Sequence, residues 1–191
     1  MSVFSFFAER FDLPILDWIA RHLWCPFLDK VMPVITVLGN GGIFWILLAV
    51  ALIVPKKTRR MGVSMGIALL MGLLFCNLTL KPLCHRIRPY DYQYDVFGRT
   101  IPLLIERPHD FSFPSGHTIA SFEGAGVILL NNKKWGIAAM VLAVLIAFSR
   151  LYLYLHYPTD VLASVVLGIA FAYVGNWLAG YITEKFATKK A

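Results

Sequence analysis

Apolar residues fill this chain in long unbroken blocks rather than in alternating or striped patterns. The runs cover roughly 43–55, 61–80, 116–131, 135–153 and 160–182. A segment that is apolar on every side has no face to offer water, so it belongs in a lipid phase. Backbone in lipid must satisfy its own hydrogen bonds, and each run is therefore predicted to be helical. At ~1.5 Å per residue, ~20 residues cross the hydrocarbon core, and the shorter runs must recruit their flanks. A further short helix is predicted at 26–38, with Pro26 in its first turn and Gly39-Asn40-Gly41-Gly42 breaking the chain after it. It is expected to cross the bilayer. Residues 13–24 differ. Leu16, Ile19, Ala20 and Leu23 recur at helical spacing, while Asp17 and Arg21 lie on another face. That pattern predicts an amphipathic helix lying on the bilayer.

The expected fold is all-α, a polytopic membrane helix bundle of about six transmembrane helices plus the N-terminal amphipathic helix. Its expected parts are an interfacial segment at 1–25, a transmembrane domain at 26–184 and a basic tail at 185–191.

Composition agrees. Of 191 residues, 58% are hydrophobic and only 15% are charged, and the mean hydropathy is +0.66. The net charge of +7 would suggest nucleic acid in a soluble protein. Here basic residues flanking spans and meeting anionic headgroups explain it, so no nucleic-acid partner is expected. Three scattered cysteines, Cys25, Cys76 and Cys84, form neither a disulfide framework nor a zinc site. The first residues lack the features of a cleavable signal. Asn77-Leu78-Thr79 matches a glycosylation acceptor but lies inside a span, and is read as a chance match.

Orientation follows from the loops. Lys56, Lys57, Arg59 and Arg60 fall on one side with Lys133, Lys134 and the C-terminal lysines, and this side is expected to be cytoplasmic. The 82–114 loop and the 154–159 connection then face outward. The same alternation carries Lys81, Arg86, Arg88, Ser115, Gly116, His117, Ser149, Arg150, His156 and Asp160 to one membrane face. A Ser-Gly turn at a helix start aims free N–H groups and a positive dipole end at an anion. Lys81, Arg88 and Arg150 could surround phosphoryl oxygens. Two histidines could then divide nucleophilic attack and proton transfer, with an aspartate fixing one imidazole.

"KPLCHRIRP" (81–89), "PSGH" (114–117) and "SRLYLYLHYPTD" (149–160) together resemble the three motifs of the type-2 phosphatidic acid phosphatase superfamily. Every specified position of Lys-x6-Arg-Pro, Pro-Ser-Gly-His and Ser-Arg-x5-His-x3-Asp is matched in order. The resemblance implies that His156 is the nucleophile and forms a phosphohistidine, with Asp160 hydrogen-bonded to its other ring nitrogen. It implies that His117 protonates the leaving group and then activates water. Lys81, Arg88, Ser115, Gly116 and Arg150 would bind the phosphate, and no metal or other cofactor is used. The implied substrate is a lipid phosphate. Phosphatidylglycerophosphate comes first, with phosphatidic acid and undecaprenyl pyrophosphate as alternatives. The implied setting is the cell membrane, with the active site on the extracytoplasmic side and no protein partner. Two rival classes are a vanadate-dependent haloperoxidase, whose phosphate cage is similar but which is soluble, and a non-enzymatic lipid or ion transporter, whose site would sit near the midplane.

Other polar residues carry blander expectations. His85 and Arg86 are assigned to solvation or headgroup contact, His109 to a loop role and His22 to the interface. Tyr90, Tyr92, Tyr94, Tyr152, Tyr154 and Tyr157 are expected in an aromatic belt, with Trp135 and Trp177 in the belt of the other side. Pro158 should interrupt any helix through His156–Asp160, with Thr159 as N-cap of the last span. Glu123 lies ~9 Å below His117 and Asn77 ~6 Å below Lys81, so a hydrogen bond between them beneath the site is expected, with contact between Glu123 and the substrate headgroup as the alternative.

Overall fold

The computed structural model describes residues 3–188. Among these residues every regular element is helical. A short helix, Val3–Phe7, and a π-helical turn, Ala8–Asp12, run into α1 (Leu13–Leu23). Then come α2 (Pro26–Val37), α3 (Ile43–Ile53) and α4 (Arg59–Met71). The last continues as a π-helical stretch, Gly72–Leu80, and a final turn, Lys81–Cys84. A short α5 (Pro89–Phe97) precedes the long loop, followed by α6 (Gly116–Asn131), α7 (Lys133–Tyr152) and α8 (Pro158–Thr188). The apolar runs read from the sequence thus each become a helix. The tail expected at 185–191 is described only as far as Thr188, and Lys189 and Lys190 lie outside the described residues.

The all-α membrane helix bundle expected from the sequence is observed. Among the described residues four helical stretches are long and apolar enough to cross a membrane: Pro26–Ile53, Arg59–Phe97, Lys133–Tyr152 and Pro158–Thr183. Helices α2 and α3, joined by the tight Gly39–Gly42 turn, make up one of these stretches, 28 residues long. Gly41 and Gly42 both have positive φ there, a conformation that costs a side chain dearly. Helix α6, at 16 residues, is shorter but packs between α7 and α8 at the centre of the bundle.

Helix α1 lies at the same end of the bundle as the long loop. The helix packs on an apolar cluster of Leu13, Leu16, Ile19, Met32, Tyr90, Tyr152, Tyr154 and Tyr157. Those tyrosines, with Tyr92, are buried under it, so the expected aromatic belt is here mostly core; Tyr94 alone of the six stays exposed. At the other end Trp135 and Trp177 are exposed as expected. Lipid-facing residues such as Leu47, Phe75, Leu78, Val144 and Val166 are also exposed. Close helix approach fixes the middle. A Cβ on Gly168 would stand 2.9 Å from the Ile119 carbonyl, and one on Gly175 would stand 2.7 Å from that of Ser64. Small residues that let backbones meet hold helices together in lipid, where apolar burial gives no drive.

Candidate active site

The end of α7 sets the position of His156. Leu155 N–H bonds the Arg150 carbonyl at 3.0 Å and Tyr154 N–H bonds that of Leu151 at 2.9 Å. This is a Schellman closure with Tyr154 in the left-handed region that usually belongs to glycine. The tyrosine is held there by its hydroxyl, which donates to Asp17 Oδ1 at 2.8 Å and accepts from Gln93 Nε2 at 2.8 Å. The turn throws the chain back so that His156 stands between α7 and α8, outside both helices. Pro158 then opens α8, and no helix runs through His156–Asp160, as expected.

His156 is 1% exposed. Arg88 Nη1 donates toward its Nε2 at 3.3 Å, so that nitrogen presents a lone pair and the proton sits on Nδ1. Nδ1 lies 3.6 Å from Asp160 Oδ2 and 3.5 Å from Ser112 Oγ. The carboxylate is near but beyond a good hydrogen bond; Ser112 Oγ instead donates to it at 2.5 Å. Burial pushes the imidazole's proton affinity well below the usual range, and the charges of Arg88, Arg150 and Lys81 push it further. The ring is thus neutral, with Nε2 available to attack.

Behind the histidine lies a buried charge network that the motifs do not contain. Arg86 Nη1 donates to Asp160 Oδ1 at 2.5 Å and its Nη2 to Asp12 Oδ2 at 2.6 Å. Its guanidinium stacks 3.8 Å from the Tyr157 ring centroid. Asp12 also accepts from Thr159 N–H at 2.9 Å and from Thr159 Oγ1 at 2.7 Å. Two expectations fall here. Arg86 is not a solvated or headgroup residue; it is 5% exposed and neutralises two buried carboxylates. Thr159 does not cap α8; the carboxylate of Asp12, far away in sequence, does so, where an anion meets the positive helix end.

The cations converge as expected. Lys81, Arg88 and Arg150 line one cavity of about 980 Å³ together with Gly116, His117 and His156. Arg150 Nη1 donates to Thr36 Oγ1 at 2.7 Å, and its Nε has no partner. His117 Nε2 bonds Asn40 Oδ1 at 2.8 Å. Ser115 is not on the cavity wall. It is fully buried, its N–H donates to Ser164 Oγ at 2.8 Å, and its hydroxyl accepts from Thr118 Oγ1 at 3.0 Å. It anchors the start of α6 against α8 and leaves the wall to Gly116 and His117.

Asp110, on the long loop, occupies the cations. Lys81 Nζ lies 2.6 Å from its Oδ2, and Arg88 donates to its Oδ1. Burial pushes the carboxyl up, but the Lys81 hydrogen bond and the charges of Arg88 and Lys81 prevail and hold it well below the usual carboxylate range. Its side chain is 52% exposed, so it can be displaced. A phosphate entering this cavity would have to take over these contacts. Asp110→Asn should therefore tighten competitive inhibition by vanadate about three- to tenfold, because less of the site is held by an internal anion. Inhibition constants for the two proteins would show it.

The expected bond between Asn77 and Glu123 is not formed. Asn77 Oδ1 and Glu123 Oε1 are both buried without partners. Asn77 stands beside Gly116, while Glu123 lies against Gly72. Sequence reasoning also missed Asp12, Ser112, Asp110 and Asn40. The one available signal was position: Ser112 and Asn40 flank motif or break residues, and Asp110 is an acidic residue beside the Pro-Ser-Gly-His motif.

The fold and these residues define a class, and comparison with known proteins agrees. The sequence profile described as PAP2 superfamily matches residues 58–184. The chain belongs to that superfamily. It is similar to an undecaprenyl-diphosphatase of Sulfolobus acidocaldarius, 32% identical over 65% of the chain and 58% of the relative. The match thus spans less than two thirds of that relative. It is also similar to the undecaprenyl-diphosphatase BcrC of Bacillus subtilis, 31% identical over 77% of the chain and 72% of the relative. Among solved structures it resembles the PAP2-type phosphatidylglycerolphosphate phosphatase from Bacillus subtilis. The TM-score is 0.66 at 27% identity, covering 95% of the chain and 92% of that structure.

Proposed function

We propose that the chain hydrolyses a lipid phosphate monoester, phosphatidylglycerophosphate in first place, through a phosphohistidine on His156. One observation carries this reading. Lys81, Arg88, Arg150, His117 and His156 line a single cavity that continues between apolar helices, so a phosphate can reach cations while its hydrocarbon stays in lipid. His156 Nε2 attacks phosphorus, and the bond to the lipid oxygen breaks. His117 gives that oxygen a proton, then takes one from the water that attacks the phosphohistidine. The products are the lipid alcohol and inorganic phosphate. Lys81, Arg88, Arg150 and the Gly116 end of α6 stabilise the transferring oxygens. Asp160 steadies His156, and Ser115 serves indirectly by fixing the start of α6.

On this reading residues 26–184 form the phosphatase domain. The basic residues near 56–60 and 133–134 mark the cytoplasmic end, placing the site on the extracytoplasmic side of the cell membrane. A second reading, undecaprenyl diphosphate as substrate, is supported by the names of the two relatives. Phosphate release by purified protein in detergent, across a panel of these lipids, tests both. Release should persist in excess chelator. Loss of activity that magnesium restores would overturn the metal-free mechanism, and no release from any lipid would overturn the function.

A further inference from the structure

The cavity does not end at the cations. It continues between α3 and α4 along Ile46, Val50, Leu69 and Leu73. Two polar side chains interrupt this apolar wall, Asn77 and Glu123, each with a buried oxygen that has no hydrogen-bond partner. Glu123 is 1% exposed. A bare polar atom in such surroundings is costly, and a native structure that keeps one needs a reason.

Their placement supplies one. A Cβ on Gly116 would stand 3.0 Å from Asn77 Oδ1, so Asn77 lies level with the start of α6, where phosphate is expected. Glu123 is seven residues further along α6, about 10 Å deeper. It lies against the backbone of Gly72, where any side chain would invade its carboxyl. The two residues mark a polar track about 10 Å long leading from the cations into the hydrocarbon. A carboxamide and a carboxyl can together donate and accept hydrogen bonds.

We propose that Asn77 and Glu123 bind the oxygen-rich glycerol backbone of a glycerolipid phosphate and so select glycerolipids over isoprenoid phosphates. This rests on the lipid phosphatase reading and narrows its substrate class. Phosphatidylglycerophosphate carries a hydroxyl, able to donate to an orphan oxygen, and several ester oxygens between its terminal phosphorus and its hydrocarbon, over an interval that fits the track. An isoprenoid chain becomes hydrocarbon at the first carbon beyond its phosphate and leaves the deep carboxyl only the backbone of Gly72. A site built for hydrogen bonds discriminates strongly against a ligand that cannot make them.

The test compares kcat/KM for phosphatidylglycerophosphate and farnesyl phosphate, whose terminal phosphates are both monoesters, in the same detergent micelles. The ratio should favour phosphatidylglycerophosphate in the native protein. Glu123→Leu and Asn77→Leu should each lower it about tenfold, and Glu123→Gln, which keeps hydrogen-bonding capacity, should hold it within about threefold. A native-like ratio in a folded Leu variant overturns the proposal and leaves a track filled only by water. If Glu123→Leu does not fold, Asn77→Leu decides. Absence of phosphate release from both lipids in the native protein overturns the phosphatase reading itself, whereas turnover of both with an unmoved ratio sinks the selection alone.

Discussion

Replacing His156 by alanine should lower phosphate release by more than about a thousandfold while the protein still folds. The expectation comes from the tautomer the structure enforces. Arg88 donates toward Nε2, so that nitrogen carries the lone pair, and the ring is neutral because burial and three neighbouring cations oppose protonation. The change removes an uncharged ring, so it strands no buried charge. Arg88 keeps its bonds to the Leu155 and Asp110 carbonyls. Rate assays paired with thermal unfolding in detergent would separate chemistry from stability. A folded His156→Ala protein with native turnover would remove His156 as nucleophile.

Arg86→Ala should destabilise the protein by about 3–5 kcal/mol and abolish activity with it. Asp12 and Asp160 are both fully buried, and Arg86 is the cation that both contact. Without it two carboxylates face each other in a site that excludes water. Arg86→Lys should recover little, because one ammonium cannot reach both carboxylates with the planar geometry of the guanidinium or stack on Tyr157 as flatly. The contrast with a surface pair is direct. Replacing Arg107, which is mostly exposed and paired with Asp91, by alanine should cost little stability. Unfolding midpoints for the two alanine variants would settle the ordering; equal, small losses would mean that the buried network carries no stability.

Much of the fold was legible because lipid leaves few choices. An apolar run must be a helix there, and each run was one. The Gly39–Gly42 break was less legible, since it gives no sign whether the chain turns back or continues. The convergence of Lys81, Arg88, Arg150, His117 and His156 was readable from alternating spans alone. What escaped was rotation and distance. Counting rise placed Asn77 and Glu123 at one depth, but the π-helical Gly72–Leu80 stretch changes the angle per residue and turns Asn77 toward Gly116. Arg86 falls on an unspecified motif position, and only packing reveals that it is the counter-charge of Asp160. Asp12 was out of reach for a simpler reason: nothing in an amphipathic helix says which distant helix end it will meet.

The bond from Thr159 to Asp12 joins residues 147 positions apart. During synthesis the aspartate is made long before the helix it caps, and Arg86 emerges with one counter-charge present and the other still to come. The catalytic pocket therefore cannot be completed span by span. A chain halted before its last helix inserts would carry Lys81, Arg88, Arg150 and both histidines yet lack Asp160, so the proposed site is complete only once that helix is in place.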